Sequence, residues 1–173
     1  MKHGVNLGSG NQHFDSNEKI EWINMDLDER DGKVEVSGDV SKKLPFDDEK
    51  FDIMVASHIV EHIEMSIVRD VLKDWMRCLK KDGALYITVP NSRELAEKYV
   101  THDIDHFIFS INMCGPQHGS PADSHKWSYD YEELSDRLTD FNCEVLTSNN
   151  LPIELKGKLA LDWWILSIKV THK

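Results

Sequence analysis

The sequence predicts an α/β fold whose sheet is mostly parallel and ends in an antiparallel hairpin. Three observations carry that prediction. Two strand-like apolar runs, Phe51-Asp52-Ile53-Met54-Val55-Ala56 and Ala84-Leu85-Tyr86-Ile87-Thr88-Val89, enclose a segment with helical spacing. A glycine turn follows the first short apolar run directly, in Val5-Asn6-Leu7-Gly8-Ser9-Gly10. Toward the end of the chain, Cys143 to Thr147 and Trp164 to Val170 read as strands with no helical pattern between them, which suggests a hairpin.

In chain order, Val5 to Leu7, Trp22 to Met25 and Val34 to Val36 are the first three strands. Little helical material separates them, so the first helix is expected to be reduced. Ser66 to Lys80 is the crossover helix between the two clear strands. Ile67, Val68, Val71, Leu72, Trp75, Met76 and Leu79 form its apolar stripe, and Arg69, Asp70, Lys73, Asp74 and Arg77 take the other face. Lys80-Lys81-Asp82-Gly83 is expected to close it, with positive charge near the C-terminus and a glycine at positive φ. A strand, this helix and a strand then make one parallel unit. Pro90 stops the fifth strand. Asn91 with Glu94, and Asp130 with Glu133, are capping signatures for two further helices, the second carrying Leu134, Leu138 and Phe141.

Length and composition narrow the functional classes. The chain has 173 residues, enough for one substantial core, so residues 1–173 are expected to form a single domain. A net charge of -11 argues against holding polyanions on a generally positive surface, and nucleic acid is not an expected partner. Three scattered cysteines with no CxxC pair support neither a disulfide framework nor a zinc ribbon. The N-terminal stretch lacks a signal-like apolar run, and nothing approaches the roughly 20 apolar residues of a membrane helix. A cytoplasmic protein without a membrane partner is expected. Composition leaves a monomer and a homodimer equally open.

The glycine pair lets backbone N–H groups approach a ligand. Glu21-Trp22-Ile23-Asn24-Met25-Asp26 ends a strand in an acid, where a carboxylate can accept both hydroxyls of a ribose. Ser37-Gly38-Asp39 follows the third strand, where a polar side chain can meet an adenine amino group. These pieces, with SHIVEHI, VLKDWMRCLKKDGALYITVPN and HKWSYDYEEL, occur in the order and spacing of a known family. The chain resembles a small class I S-adenosylmethionine-dependent methyltransferase, a Rossmann-like fold with helices on both faces of the sheet. The resemblance implies S-adenosyl-L-methionine as cofactor, with Gly8, Ser9 and Gly10 in its loop, Asp26 at the ribose and Asp39 near adenine. Ser57 and His58 then border the reaction centre. Two positions depart from the family pattern. Asn6 stands where an acid is usual, and Gln12 where a third glycine often stands; Asn6 can hydrogen-bond to the cofactor but brings no charge to its cationic end. The reduced first helix leaves that side of the pocket open to solvent or a partner.

Methyl transfer needs an aligned acceptor and, for a hydroxyl, a base. Residues 101–127 form a long connection and are expected to be a substrate-side insertion. Within it His125, beside Lys126-Trp127-Ser128-Tyr129, is the first candidate for a base and His118 the second, with His58 completing the catalytic set. His102, His106, Cys114 and His118 match no strong zinc signature, so no metal is expected there. His58, Glu61 and His62 also invite a metal reading; the resemblance makes them a turn beside the cofactor instead, and Glu61 and His62 stay outside the catalytic set. The expected activity is methyl transfer to a small polar acceptor. The alternatives are a non-catalytic binding or regulatory subunit of the same fold and, further off, an NAD-dependent oxidoreductase.

Overall fold

The computed structural model describes residues 1–28, 32–116, 123–147, 155 and 165–172. Within them the strands β1 (Lys2–Leu7), β2 (Ile20–Asp26), β3 (Val36–Ser37), β4 (Phe51–Ser57), β5 (Leu79–Pro90), β6 (Cys143–Thr147) and β7 (Ile165–His172) form one sheet. Its order is β3-β2-β1-β4-β5-β7-β6. β1 pairs in parallel with both β2 and β4, and β4 with β5. β7 runs antiparallel to both β5 and β6, which gives the expected hairpin end. The helices are α1 (Val68–Cys78), α2 (Ser92–Val100), α3 (His106–Cys114) and α4 (Tyr131–Asp136).

The apolar stripe of α1 buries Val68, Val71, Leu72, Trp75 and Met76 in the main core with Leu7, Phe51, Met54 and Leu85. Such residues stabilise by roughly 1.5–3 kcal/mol each when fully buried. Trp75 also satisfies its indole N–H on the Val40 carbonyl at 3.0 Å. A smaller cluster joins Phe14, Ile20, Trp22, Ile53, Val55 and Tyr86, with Phe14 edge-on to Trp22 at 4.7 Å. The sequence led us to expect a reduced first helix; no helix at all lies between Leu7 and Ile20. Among the described residues no helix is long and apolar enough to cross a membrane.

Several boundaries depart from expectation. α1 stops at Cys78, because the buried Leu79 already pairs with Phe51 on β4. Lys80 to Gly83 therefore occupy a register shift inside β5 rather than a helix end, and Asp82, not Gly83, takes the positive φ of 63. Gly83 is needed for close approach: a Cβ there would stand 2.8 Å from the Lys80 carbonyl. β3 shrinks to the two residues that pair with Met25 and Asp26. α4 ends at Asp136, short of Leu138, which is buried all the same. Trp164, placed at the head of the last strand, lies outside the described residues. The caps are as read: Asn91 accepts the Glu94 amide and Asp130 the Glu133 amide.

Candidate active site

The strand order reverses at β1 and β4, one leading outward to β2 and β3, the other to β5. Open α/β sheets form their ligand crevice at such a point. Here a cleft of about 800 Å³ lies there. Gly8, directly after β1, lines it with φ 63, a left-handed backbone that glycine adopts without strain. A Cβ on Gly8 would overlap the side chain of Ile59, so the bare backbone also lets the loops after β1 and β4 touch. Gly10 is left-handed too, at φ 51, with open space where a side chain would stand.

Asp26 ends β2. Its Oδ2 accepts the Gly10 amide at 2.8 Å and its Oδ1 the Asp28 amide at 3.1 Å. Each carboxylate oxygen has a second lone pair, so both retain acceptor capacity for a ligand hydroxyl. Asp39 uses Oδ1 to hold the amide and hydroxyl of Ser41, at 2.8 and 2.6 Å. Ser9 is 4% exposed, and its buried Oγ has no hydrogen-bond partner although it lines the cleft. A buried hydroxyl left unanswered by the protein fits a site completed by a ligand.

Amide side chains support this loop in place of a helix. Asn6 Nδ2 donates to the Gln12 carbonyl at 2.7 Å and to Asn24 Oδ1 at 3.2 Å. Asn24 in turn accepts the Phe14 amide at 2.8 Å and donates to the Phe14 carbonyl at 3.1 Å. The two residues sit side by side in the β1–β2 register. Asn24 was not singled out from the sequence; its signal was a polar residue inside an apolar strand, matched by Asn6 in the neighbouring one.

The other wall carries imidazoles. At the end of β4, Ser57 Oγ lies 2.8 Å from Thr88 Oγ1 of β5. His58 turns at φ 55, a conformation that costs energy in a non-glycine residue and persists where the surroundings fix it. Its Nδ1 lies 3.1 Å from Glu61 Oε1. A 3-10 turn over Val60–His62 directs Glu61 inward, leaving it 1% exposed with Oε2 unpartnered. His62 Nδ1 donates to the Ser124 carbonyl at 3.2 Å. His125 packs its ring edge-on to His62, with centroids 4.8 Å apart. The following amides of Lys126 and Trp127 donate to the Glu61 carbonyl, at 2.7 and 3.3 Å. Gly115, after α3, makes this approach feasible: at φ 74, a Cβ there would overlap the Asp123 carbonyl and crowd the His125 ring. Burial lowers the pKa of His125, with Glu61 opposing the shift and His62 adding to it. The ring is therefore neutral at neutral pH and keeps a basic lone pair.

A family model for the methyltransferase domain matches residues 12–87. The fold is shared with a SAM-dependent methyltransferase from Thermotoga maritima, 22% identical, covering 100% of this chain and 83% of that one at a TM-score of 0.61. This chain has the class I methyltransferase fold, and residues 12–87 of it match the methyltransferase-domain model. A SAM-dependent methyltransferase from Archaeoglobus fulgidus is 18% identical at a TM-score of 0.60, over 98% of this chain and 86% of that one. The 1,6-didemethyltoxoflavin-N1-methyltransferase of Burkholderia thailandensis, with 1,6-didemethyltoxoflavin and S-adenosylhomocysteine bound, is 16% identical at a TM-score of 0.60, over 99% and 71%. No curated protein matches the sequence.

The seven residues expected to hold the cofactor, Asn6, Gly8, Ser9, Gly10, Asp26, Asp39 and Ser57, all line one cleft. His58 lines it as well. His125 stands behind His62, in a small recess shared with Glu61 and Tyr129. His118 lies outside the described residues. His102 and His106 are exposed, and His106 bonds to Tyr99 and Ser110. Among the described residues, the group spaced for a metal is instead Glu61, His62 and His125. Sequence reasoning had kept Glu61 and His62 apart from His125.

Proposed function

We propose that this methyltransferase domain transfers a methyl group from S-adenosyl-L-methionine to a small polar acceptor. Asp26 carries the reading: it is a strand-end carboxylate with a lone pair left on each oxygen, fixed by the amide of a left-handed glycine in a cleft at the sheet's switch point. The cofactor supplies an electrophilic methyl group on a sulfonium. Gly8, Ser9 and Gly10 hold its methionine part, and the Ser9 hydroxyl finds its missing partner there. Asp26 accepts the ribose hydroxyls, and Asp39 stands on the adenine side. Asn6 acts through the loop it braces. Ser57 and His58 border the methyl group. His125, kept neutral by burial, is the base on the acceptor side, with His118 the second candidate.

We read residues 1–173 as one domain, with 101–127 an acceptor-side insertion, working in the cytoplasm on a diffusible molecule rather than on nucleic acid or a membrane. The Burkholderia thailandensis methyltransferase of the same fold, which holds 1,6-didemethyltoxoflavin, supports a small acceptor.

Calorimetric titration with S-adenosylhomocysteine tests the cofactor assignment. We expect one-site binding that weakens by at least about 10-fold in Asp26→Ala, since hydrogen bonds to a charged group are each worth about 1.5–3 kcal/mol. NAD should give no heat. No binding by the wild-type protein, or a preference for NAD, would overturn the reading.

A further inference from the structure

A carboxylate buried as deeply as Glu61 normally has both oxygens answered by donors or a cation, because an isolated charge is strongly disfavoured away from water. Glu61 is answered on one side. Oε1 meets His58 Nδ1 at 3.1 Å, while Oε2 is buried without a partner.

Two imidazoles flank it. A carbonyl can only accept, so the His62 bond to Ser124 puts the proton of the neutral ring on Nδ1 and the lone pair on Nε2. The His125 ring shares a recess with Asn112, and its own amide is tied to the Cys114 carbonyl at 3.0 Å. The His62 bond is the outer-shell arrangement that orients metal-binding histidines. One ligand atom from each of Glu61, His62 and His125 lies within 4.8 Å of the others. A small closure would bring all three to the about 2.0–2.2 Å ligand distances of a zinc-class ion.

We propose that Glu61, His62 and His125 bind one divalent transition-metal ion. Two imidazoles and a carboxylate are borderline N/O donors, suited to zinc, cobalt or manganese rather than to the all-oxygen coordination of calcium. Three protein ligands leave coordination positions open. His62 lines the cleft while Glu61 and His125 line the recess behind it, so the ion would stand between the two. The ion's role rests on the methyl-transfer reading: it is a Lewis-acid anchor for a hydroxyl or carboxylate of the acceptor. With the ion bound, the His125 lone pair is committed to it, and the residue changes from base to ligand.

The test uses full-length protein stripped with a chelator. Zinc chloride is titrated by calorimetry, and cobalt chloride is added while visible absorption is recorded. We expect one ion per chain, cobalt d–d bands, and at least about 10-fold weaker binding in Glu61→Gln and in His62→Gln, because outer-shell losses alone cost about 10–100-fold. His62 is half-exposed, so its variant tests the site even where a change at the buried Glu61 disturbs folding. Substoichiometric binding by the wild type would overturn the proposal. So would equal affinity in folded variants, which would place the ion elsewhere. Titration of S-adenosylhomocysteine on the same samples separates the two readings: ion binding without it sinks the cofactor assignment alone, and the reverse sinks the ion site alone.

Discussion

The two walls of the cleft are built from different chemistry. On the glycine wall the functional groups are Asp26 and the Ser9 hydroxyl on a tight backbone turn, braced by the neutral side chains of Asn6 and Asn24. On the histidine wall they are His58 and His62, backed by Glu61 and His125 in the recess behind, side chains that bind protons and ions, brought together by docking of a distant segment. A wall made of backbone depends on φ and close approach. A wall made of side chains depends on which segments meet. The first suits a constant ligand such as a cofactor, and the second can be retuned for an acceptor by single substitutions.

The comparison breaks most sharply at Gly8. Valine there would meet Ile59 at a backbone angle it rarely adopts, and S-adenosylhomocysteine affinity should fall by at least about 100-fold, equivalent to about 3 kcal/mol. Ile59 belongs to the histidine wall, so zinc affinity should fall as well, by less; unchanged zinc affinity would show the walls to be separate. Gly115→Val attacks the second wall alone. It should displace the His125 segment and weaken zinc by at least about 10-fold, with S-adenosylhomocysteine affinity held within about 3-fold, as both titrations would report.

Asn24→Ala is the converse. It removes the bonds that Asn6 Nδ2 and the Phe14 amide make to Asn24 Oδ1, and chemical denaturation should show a loss of about 2 kcal/mol with zinc binding intact. The smallest effect is at Asp130, which caps α4 just beyond the HKWSY segment. Asp130→Ala should cost about 1 kcal/mol. The Glu133 amide, and after it the Arg93 ion pair, hold the Asp130 carboxyl below its usual 3.8. Its contribution is therefore complete above that value and lost as pH falls through the lowered one. Melting temperatures of wild type and variant should converge on acidification through this range.

The glycine wall was legible because its constraints are local. A left-handed backbone favours glycine, and a strand that ends in an acid can be read within a few positions of Asp26. The hairpin was legible for the same reason, from Cys143–Thr147 and the strand that follows. The Lys80 to Gly83 stretch misled because its charge and glycine fit a helix end, whereas pairing of Leu79 with Phe51 decided the matter from outside the window. The histidine cluster was hidden by distance: 62 positions separate His62 from Ser124, whose carbonyl orients it. SHIVEHI and HKWSY were each visible, but their meeting depends on Gly115 and on two amides converging on the Glu61 carbonyl, which no periodicity reports.

Ile59 fills the space that Gly8 leaves empty, and it stands between His58 and the turn that carries Glu61 and His62. This packing is where the loops after β1 and β4 meet, and it is the place to test whether occupancy of one wall is felt at the other. Thermodynamic linkage then imposes a symmetry: whatever factor an ion changes nucleoside affinity by, the nucleoside must change ion affinity by the same factor. Trimming Ile59 to alanine would relax that reciprocity without removing a ligand from either side.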